Sequence, residues 1–76
     1  MSRKIVPIKI RDFRQFLKTV GCSYERTQGD HEVWSKPGLL RPVVFPVKDK
    51  ELTPFYIKSN LRTLKLTDDE YLKLIH

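Results

Sequence analysis

Two short extended runs, CSYERT and HEVWSK, are separated only by Gln28, Gly29 and Asp30. Such a short connection leaves an antiparallel hairpin as the one economical arrangement, because Gly29 can take the positive φ that a tight reversal demands. Around that hairpin the other elements fall into order. Ile10, Phe13, Phe16, Leu17 and Val20 form a helical stripe opposite Arg11, Asp12, Arg14, Gln15 and Lys18, so residues 8–20 are expected to form an amphipathic helix stopped by Gly21. Pro37 and Gly38 mark a second turn, and VVFPV supplies a third strand. Pro46 has no ladder donor and belongs on an edge or at a strand end. Thr53 and Pro54 read as an N-cap and first helical position, with Ile57, Leu61 and Leu64 at helical spacing to about Lys65. Thr67 and Glu70 form a capping box that opens a last helix through Tyr71, Leu72, Leu74 and Ile75. The expectation is one α+β domain over residues 1–76: a helix, a three-stranded antiparallel sheet, a second helix and a short C-terminal helix, with the helices on one sheet face.

That arrangement leaves the other sheet face open. Alternation places His31, Val33 and Ser35 on one side and Glu32, Trp34 and Lys36 on the other. Trp34 is the largest apolar side chain and is assigned to the helix side. His31 then faces outward, with Val33 exposed beside it. Glu32 would point inward, which is acceptable if the strand end is frayed and wet. The same rule puts Tyr24 and Arg26 on one face, with Arg26 reaching the rim near His31.

Composition narrows the function. Fifteen Lys and Arg against nine Asp and Glu give a net charge of +6, and three of the acids sit together at 68–70, where a helix N-terminus accounts for them. The rest of the chain is strongly basic, as expected of a partner for a polyanion such as nucleic acid, although surplus lysine also serves solubility. The single cysteine, Cys22, excludes an internal disulfide framework and suits a reducing compartment. No signal peptide and no run of about 20 apolar residues is present, so a soluble, cytoplasmic protein without a membrane partner is expected.

Few residues can carry chemistry. Cys22 lies at the far end of the first hairpin strand from His31, too distant for a nucleophile–base pair at ~3.3 Å per residue. The second histidine is the terminal His76, and Asp30 with His31 is a poor ligand set, so no metal site is expected. Gly29 belongs to no phosphate-binding glycine motif. A histidine after a turn is most simply a solvated surface residue. Imidazole is nevertheless the side chain that changes charge nearest neutral pH, and beside RNA it can move the proton of a 2′-hydroxyl whose oxygen attacks the adjacent phosphate. Cations would stabilise the charge developing at phosphorus, and such chemistry needs no metal and no cofactor.

From Gly21 through Arg26, Gly29 and His31 to Trp34, the chain resembles the hallmark of the HicA-type (YcfA-like) toxins. In that hallmark a helix-ending glycine and a strand arginine precede a Gly-Ser-His turn and an aromatic. VVFPV, then Lys50-Glu51-Leu52, Pro54 and Ile57-Lys58-Ser59-Asn60-Leu61 are similar to the family's third strand, Lys-Glu-Leu segment and second helix. The resemblance runs from about Ile8 to Ile75. It implies a double-stranded-RNA-binding-like fold and an mRNA-cleaving ribonuclease whose active site is covered by a HicB-type antitoxin. It also implies a catalytic role for His31 and a supporting one for Arg26. Asp30 stands where the family usually has serine, Cys22 where an aromatic is common, and Lys48 where many members carry a second histidine.

Three readings follow. The first is a metal-independent endoribonuclease toxin with His31 as general acid or base and Arg26, Lys48 and Lys50 as phosphate contacts. The second is a non-catalytic RNA-binding module of the same fold. That module would lack the lysine-rich second-helix start of conventional double-stranded-RNA binders, because Thr53-Pro54-Phe55-Tyr56 stands there. The third is a protein-interaction domain using exposed Val33 and Tyr56.

Overall fold

The computed structural model describes residues 4–75. Residues 1–3 of the basic N-terminal stretch, and the terminal His76 weighed as a metal ligand, lie outside them. The elements are β1 (Ile8–Lys9), α1 (Ile10–Thr19), β2 (Ser23–Gln28), β3 (His31–Ser35), β4 (Val43–Pro46), β5 (Glu51–Leu52), α2 (Pro54–Leu64) and α3 (Asp68–Leu74). Strands β2, β3 and β4 form an antiparallel sheet in that order. The protein is thus α+β, with the helix, three strands and two helices that the periodicities predict.

Helix α1 begins at Ile10, where its apolar stripe begins, and not at residue 8 as expected. Ile8 and Lys9 are not helical but pair with Leu52 and Glu51 as a two-stranded ribbon, which binds the start of α1 to the segment before α2. Ile10, Phe13, Phe16 and Leu17 are buried along one face of α1. The helix closes in a Schellman motif: Gly21, at φ +94°, donates its N–H to Lys18 O (3.1 Å), and Cys22 donates to Leu17 O (2.8 Å). Pro54 opens α2 after Thr53, and the Thr67–Glu70 capping box opens α3, both as expected.

All three helices cover one face of the sheet. Phe13, Phe16 and Leu17 meet Trp34, Val43 and Phe45 from the strands, Ile57, Leu61 and Leu64 from α2, and Tyr71 and Leu72 from α3. Pro46 ends β4, an edge strand, as its missing donor requires. The outward backbone of that edge is occupied by buried Asn60 of α2. Its Oδ1 accepts from Val44 N (3.3 Å), and its Nδ2 donates to Val44 O (3.1 Å) and Tyr56 O (3.0 Å). One amide side chain thus completes the edge strand from the helix layer and closes it to another strand.

One side-chain placement departs from the alternation rule, and two residues that obey it are more buried than expected. A bulge between Tyr24 and Arg26 pairs Tyr24 with Trp34 but Arg26 with Val33, so the two lie on opposite faces. Tyr24 packs edge-on against Trp34 on the helix side (5.8 Å), while Arg26 stays on the open face. Val33 is on the open face but only 2% exposed. It lies on the middle strand between its cross-strand partners Arg26 and Val44, whose side chains stand on the same face and shield it. Glu32 does point inward, but its strand is neither frayed nor wet.

Glu32 is 7% exposed and fully engaged. Arg14 of α1 donates to it with both arms of its guanidinium, Nε to Oε1 at 3.1 Å and Nη2 to Oε2, and Trp34 Nε1 donates to Oε1 at 3.0 Å. Burial pushes the Glu32 carboxyl up. The hydrogen bonds from Arg14 and Trp34 and the guanidinium charge outweigh it and hold the group below the usual carboxylate range. A depressed carboxyl contributes stability above its unfolded pKa, and that stability is lost as the pH falls through its folded value. Replacing Arg14 with Ala leaves a buried carboxylate unpaired. Because Arg14 is partly exposed, the cost is set at about 2 kcal/mol, below the full range for a buried pair, or roughly 10 °C in melting temperature. In thermal melts across pH, the gap between wild type and Arg14→Ala is expected to be largest near neutrality and to close in acid, where Glu32 protonates. A gap independent of pH would show that Arg14 acts by packing alone.

Candidate functional site

The β2–β3 turn reaches its geometry through Gly29. Gln28 and His31 close the hairpin opposite one another, and Gly29 holds φ +59° at the first of the two residues between them. That is the position where a II′-type reversal requires glycine. No atom lies within 4 Å of the place a Cβ would occupy, so glycine is needed here for its backbone and not for space. Asp30 O accepts from Val47 N at 2.7 Å, which ties the turn to the chain leaving β4. This end of the sheet is therefore held from both sides.

His31 stands on the open face between Gln28 and Pro46, with its side chain 45% exposed. Its Nδ1 lies 3.0 Å from Asp30 Oδ1, and Nε2 has no protein partner among the described residues. With Nδ1–H donating to the carboxylate, Nε2 is the basic nitrogen and faces solvent. Arg26, diagonal to His31 on the same face, pairs with Glu25 and makes a long contact to Gln28 Oε1 (3.5 Å). Lys48 follows Val47 in an exposed bend, so the backbone bond to Asp30 brings it beside the turn. Lys50 lies at the other end of that bend, where its carbonyl accepts from Ile10 N (2.9 Å) at the start of α1. The structure thus gathers Gln28, Asp30, His31 and Arg26, brings Lys48 to their edge, and places Lys50 toward the helix layer.

Asp30 and Gln28 were not singled out as site residues by sequence reasoning. The adjacency of Asp30 and His31 was visible, but whether their side chains meet depends on the turn. Cys22 is buried, and burial pushes its thiol up, with Lys36 offsetting only part of the shift. It takes no part in the site. Among the described residues no group of three His, Cys, Asp or Glu side chains could hold a metal ion, and no helix is long and apolar enough to cross a membrane.

His31 is presented on an open surface, while clefts of about 550 and 370 Å³ are lined by other residues. An exposed group on a flat face suits a large substrate that lies across it better than a small molecule that must be enclosed. No curated protein matches the chain. Residues 10–66 match the model of a family described as the HicA toxin of bacterial toxin–antitoxin. That span runs from the first residue of α1 past the end of α2, and so contains the whole hairpin with His31, Asp30 and Arg26. The chain belongs to the HicA toxin family of bacterial toxin–antitoxin systems.

Proposed function

We propose that this toxin is an endoribonuclease that cleaves mRNA with His31 as its general acid–base. The observation that carries the reading is the His31–Asp30 contact at 3.0 Å, which leaves Nε2 free on an open, cation-flanked face. Nε2 takes the proton of a 2′-hydroxyl, and the 2′-oxygen forms a bond to the neighbouring phosphorus. The P–O5′ bond breaks, and the departing 5′-oxygen takes up a proton from water, to which the His31 imidazolium returns the one it holds. Asp30 is a positioning residue that holds the imidazole tautomer. Arg26 faces the phosphate and stabilises its developing charge, with Lys48 as a further contact and Lys50 as a peripheral one. None of these steps calls for a metal or a cofactor. A partner antitoxin of the HicB type would silence the toxin by covering this face.

The interaction-domain reading loses one of its two contacts, since Val33 is buried and Tyr56 is only half-exposed. The non-catalytic RNA-binding reading differs from the proposal only in the role of His31.

Replacing His31 with Ala is expected to reduce cleavage by at least the ~10² that general acid–base catalysis contributes. Fold and RNA affinity should survive, because an exposed side chain contributes little to packing. His31→Gln, which keeps hydrogen bonding without shuttling protons, should be equally inactive. RNA with a 2′-deoxy sugar at the cleaved position should resist the wild type. Cleavage at the wild-type rate by nuclease-free His31→Ala protein would return His31 to the status of a surface residue after a turn.

In a complex with its antitoxin, hydrogen exchange at residues 28–33 should slow relative to the free toxin. Protection confined to residues 67–75 would contradict a partner seated over His31.

A further inference from the structure

Beyond the His31 face, a cleft of about 550 Å³ lies between the 36–42 loop and the C-terminal half of α2. Lys36, Arg41, Arg62 and Lys65 line it together with the hydroxyl residues Ser59 and Thr63, and no acidic residue does. Arg11, Arg14, Arg26 and Lys58 each have a carboxylate within pairing distance. Among the described residues Lys36, Arg41, Arg62 and Lys65 have none. Lys36 is also anchored, its Nζ donating to Val20 O at 3.1 Å, which uses one of its three donors and fixes the ammonium at the wall.

Lys65 is the second observation. The N–H groups of Lys65 and Leu66 close α2 by donating to Arg62 O (3.1 Å) and Leu61 O (2.9 Å), the same closure that Gly21 provides for α1. Lys65 therefore sits at φ +59°, the only non-glycine residue with positive φ among those described. A lysine strained at a position that favours glycine, and lining a cationic cleft, points to a role for its side chain.

The cleft is not isolated from His31. A shallower hollow of about 290 Å³ is lined by Arg26, Ser35, Lys36 and Arg41, together with Glu25, which pairs with Arg26. It shares Lys36 and Arg41 with the deeper cleft, so Arg26, Lys36, Arg41, Arg62 and Lys65 line two adjoining hollows in which Glu25 is the one acidic residue. From His31 to Ser35 the track follows β3 for ~13 Å, farther than a single nucleotide reaches.

We propose that this cleft is a second phosphodiester-binding site, which grips the RNA backbone at a distance from the cleaved bond and fixes the chain's direction across His31. The inference rests on the proposed ribonuclease function. Guanidinium forks match phosphate oxygens in pairs, and a linear run of cations leading from the cleavage face suits a polynucleotide better than a compact acidic peptide. Exposed Leu40 at the rim is the feature that a peptide would also use.

The test measures binding of unstructured RNA by full-length His31→Ala protein across salt concentrations, using one long oligonucleotide and one short enough to reach only the His31 face. Arg41→Glu/Arg62→Glu is expected to weaken binding of the long RNA at least tenfold and to reduce the magnitude of its log–log salt slope by ~1.4, two contacts at ~0.7 each. Short-RNA binding should be unchanged. Lys65→Gly relieves the backbone strain, so it should raise the melting temperature while reducing the long-RNA slope by ~0.7. Unchanged affinity and slope in these variants, with RNA still bound by the parent protein, would overturn the cleft and leave the ribonuclease proposal intact. No RNA binding by the parent at any salt would overturn both. Loss of antitoxin binding with RNA binding preserved would assign the cleft to an acidic peptide and overturn the inference.

Discussion

The Glu32 carboxylate, held beneath the sheet by Arg14 and Trp34, is the interaction on which the placement of everything else depends. It joins α1 to the middle strand across 18 residues of chain and fixes which side of β3 faces the core. Because side chains alternate, a one-residue slip would bring His31 under the helices and expose Trp34. A buried carboxylate that has one matching guanidinium penalises that slip in a way that apolar contacts alone would not. Such a pair adds little net stability over an apolar substitute, and its stronger effect is on register. The exposed histidine is in this sense a consequence of the buried glutamate beside it.

Around this point the scaffold secures the His31 end of the sheet from three directions. Gly29 permits the reversal, the Val47–Asp30 backbone bond joins the turn to the exit of β4, and Asn60 occupies the free edge of β4. A surface site on a chain of 76 residues cannot draw on a large core for rigidity. It is supplied here by polar groups placed where the backbone would otherwise be unsatisfied. The face that results is shallow, and Arg26, Lys36, Arg41, Arg62 and Lys65 lie in the hollows beside it.

Elements with local chemical signatures were legible in the sequence. Gly21 closing α1, Thr53-Pro54 opening α2 and the Thr67–Glu70 box opening α3 each act within a few residues, so spacing alone locates them. The hairpin and the terminal proline of β4 were readable for the same reason. What was not readable depends on contacts between distant segments. The two-residue strands β1 and β5 are too short for any periodicity, and they exist because Ile8 and Lys9 meet Leu52 and Glu51. The bulge at Glu25 breaks the alternation that had placed Tyr24 beside Arg26, and nothing in SYERTQ marks it. Val33 is hidden by its cross-strand neighbours, and Glu32 finds its partner on a helix that precedes the hairpin. Of the candidate site, His31 and Arg26 were legible through the family resemblance, whereas the Asp30 contact that orients the imidazole required the turn itself.

If His31 moves the proton of a ribose hydroxyl, as proposed, the RNA is its own nucleophile. The chemical identity of the new RNA ends decides the point, because it records which oxygen attacked phosphorus. Mass spectrometry of fragments from short digestions with purified toxin should show a 2′,3′-cyclic phosphate on the upstream fragment and a 5′-hydroxyl on the downstream one. A 3′-hydroxyl with a 5′-phosphate would mean that water attacked and the 3′-oxygen left, and would contradict the mechanism built on His31.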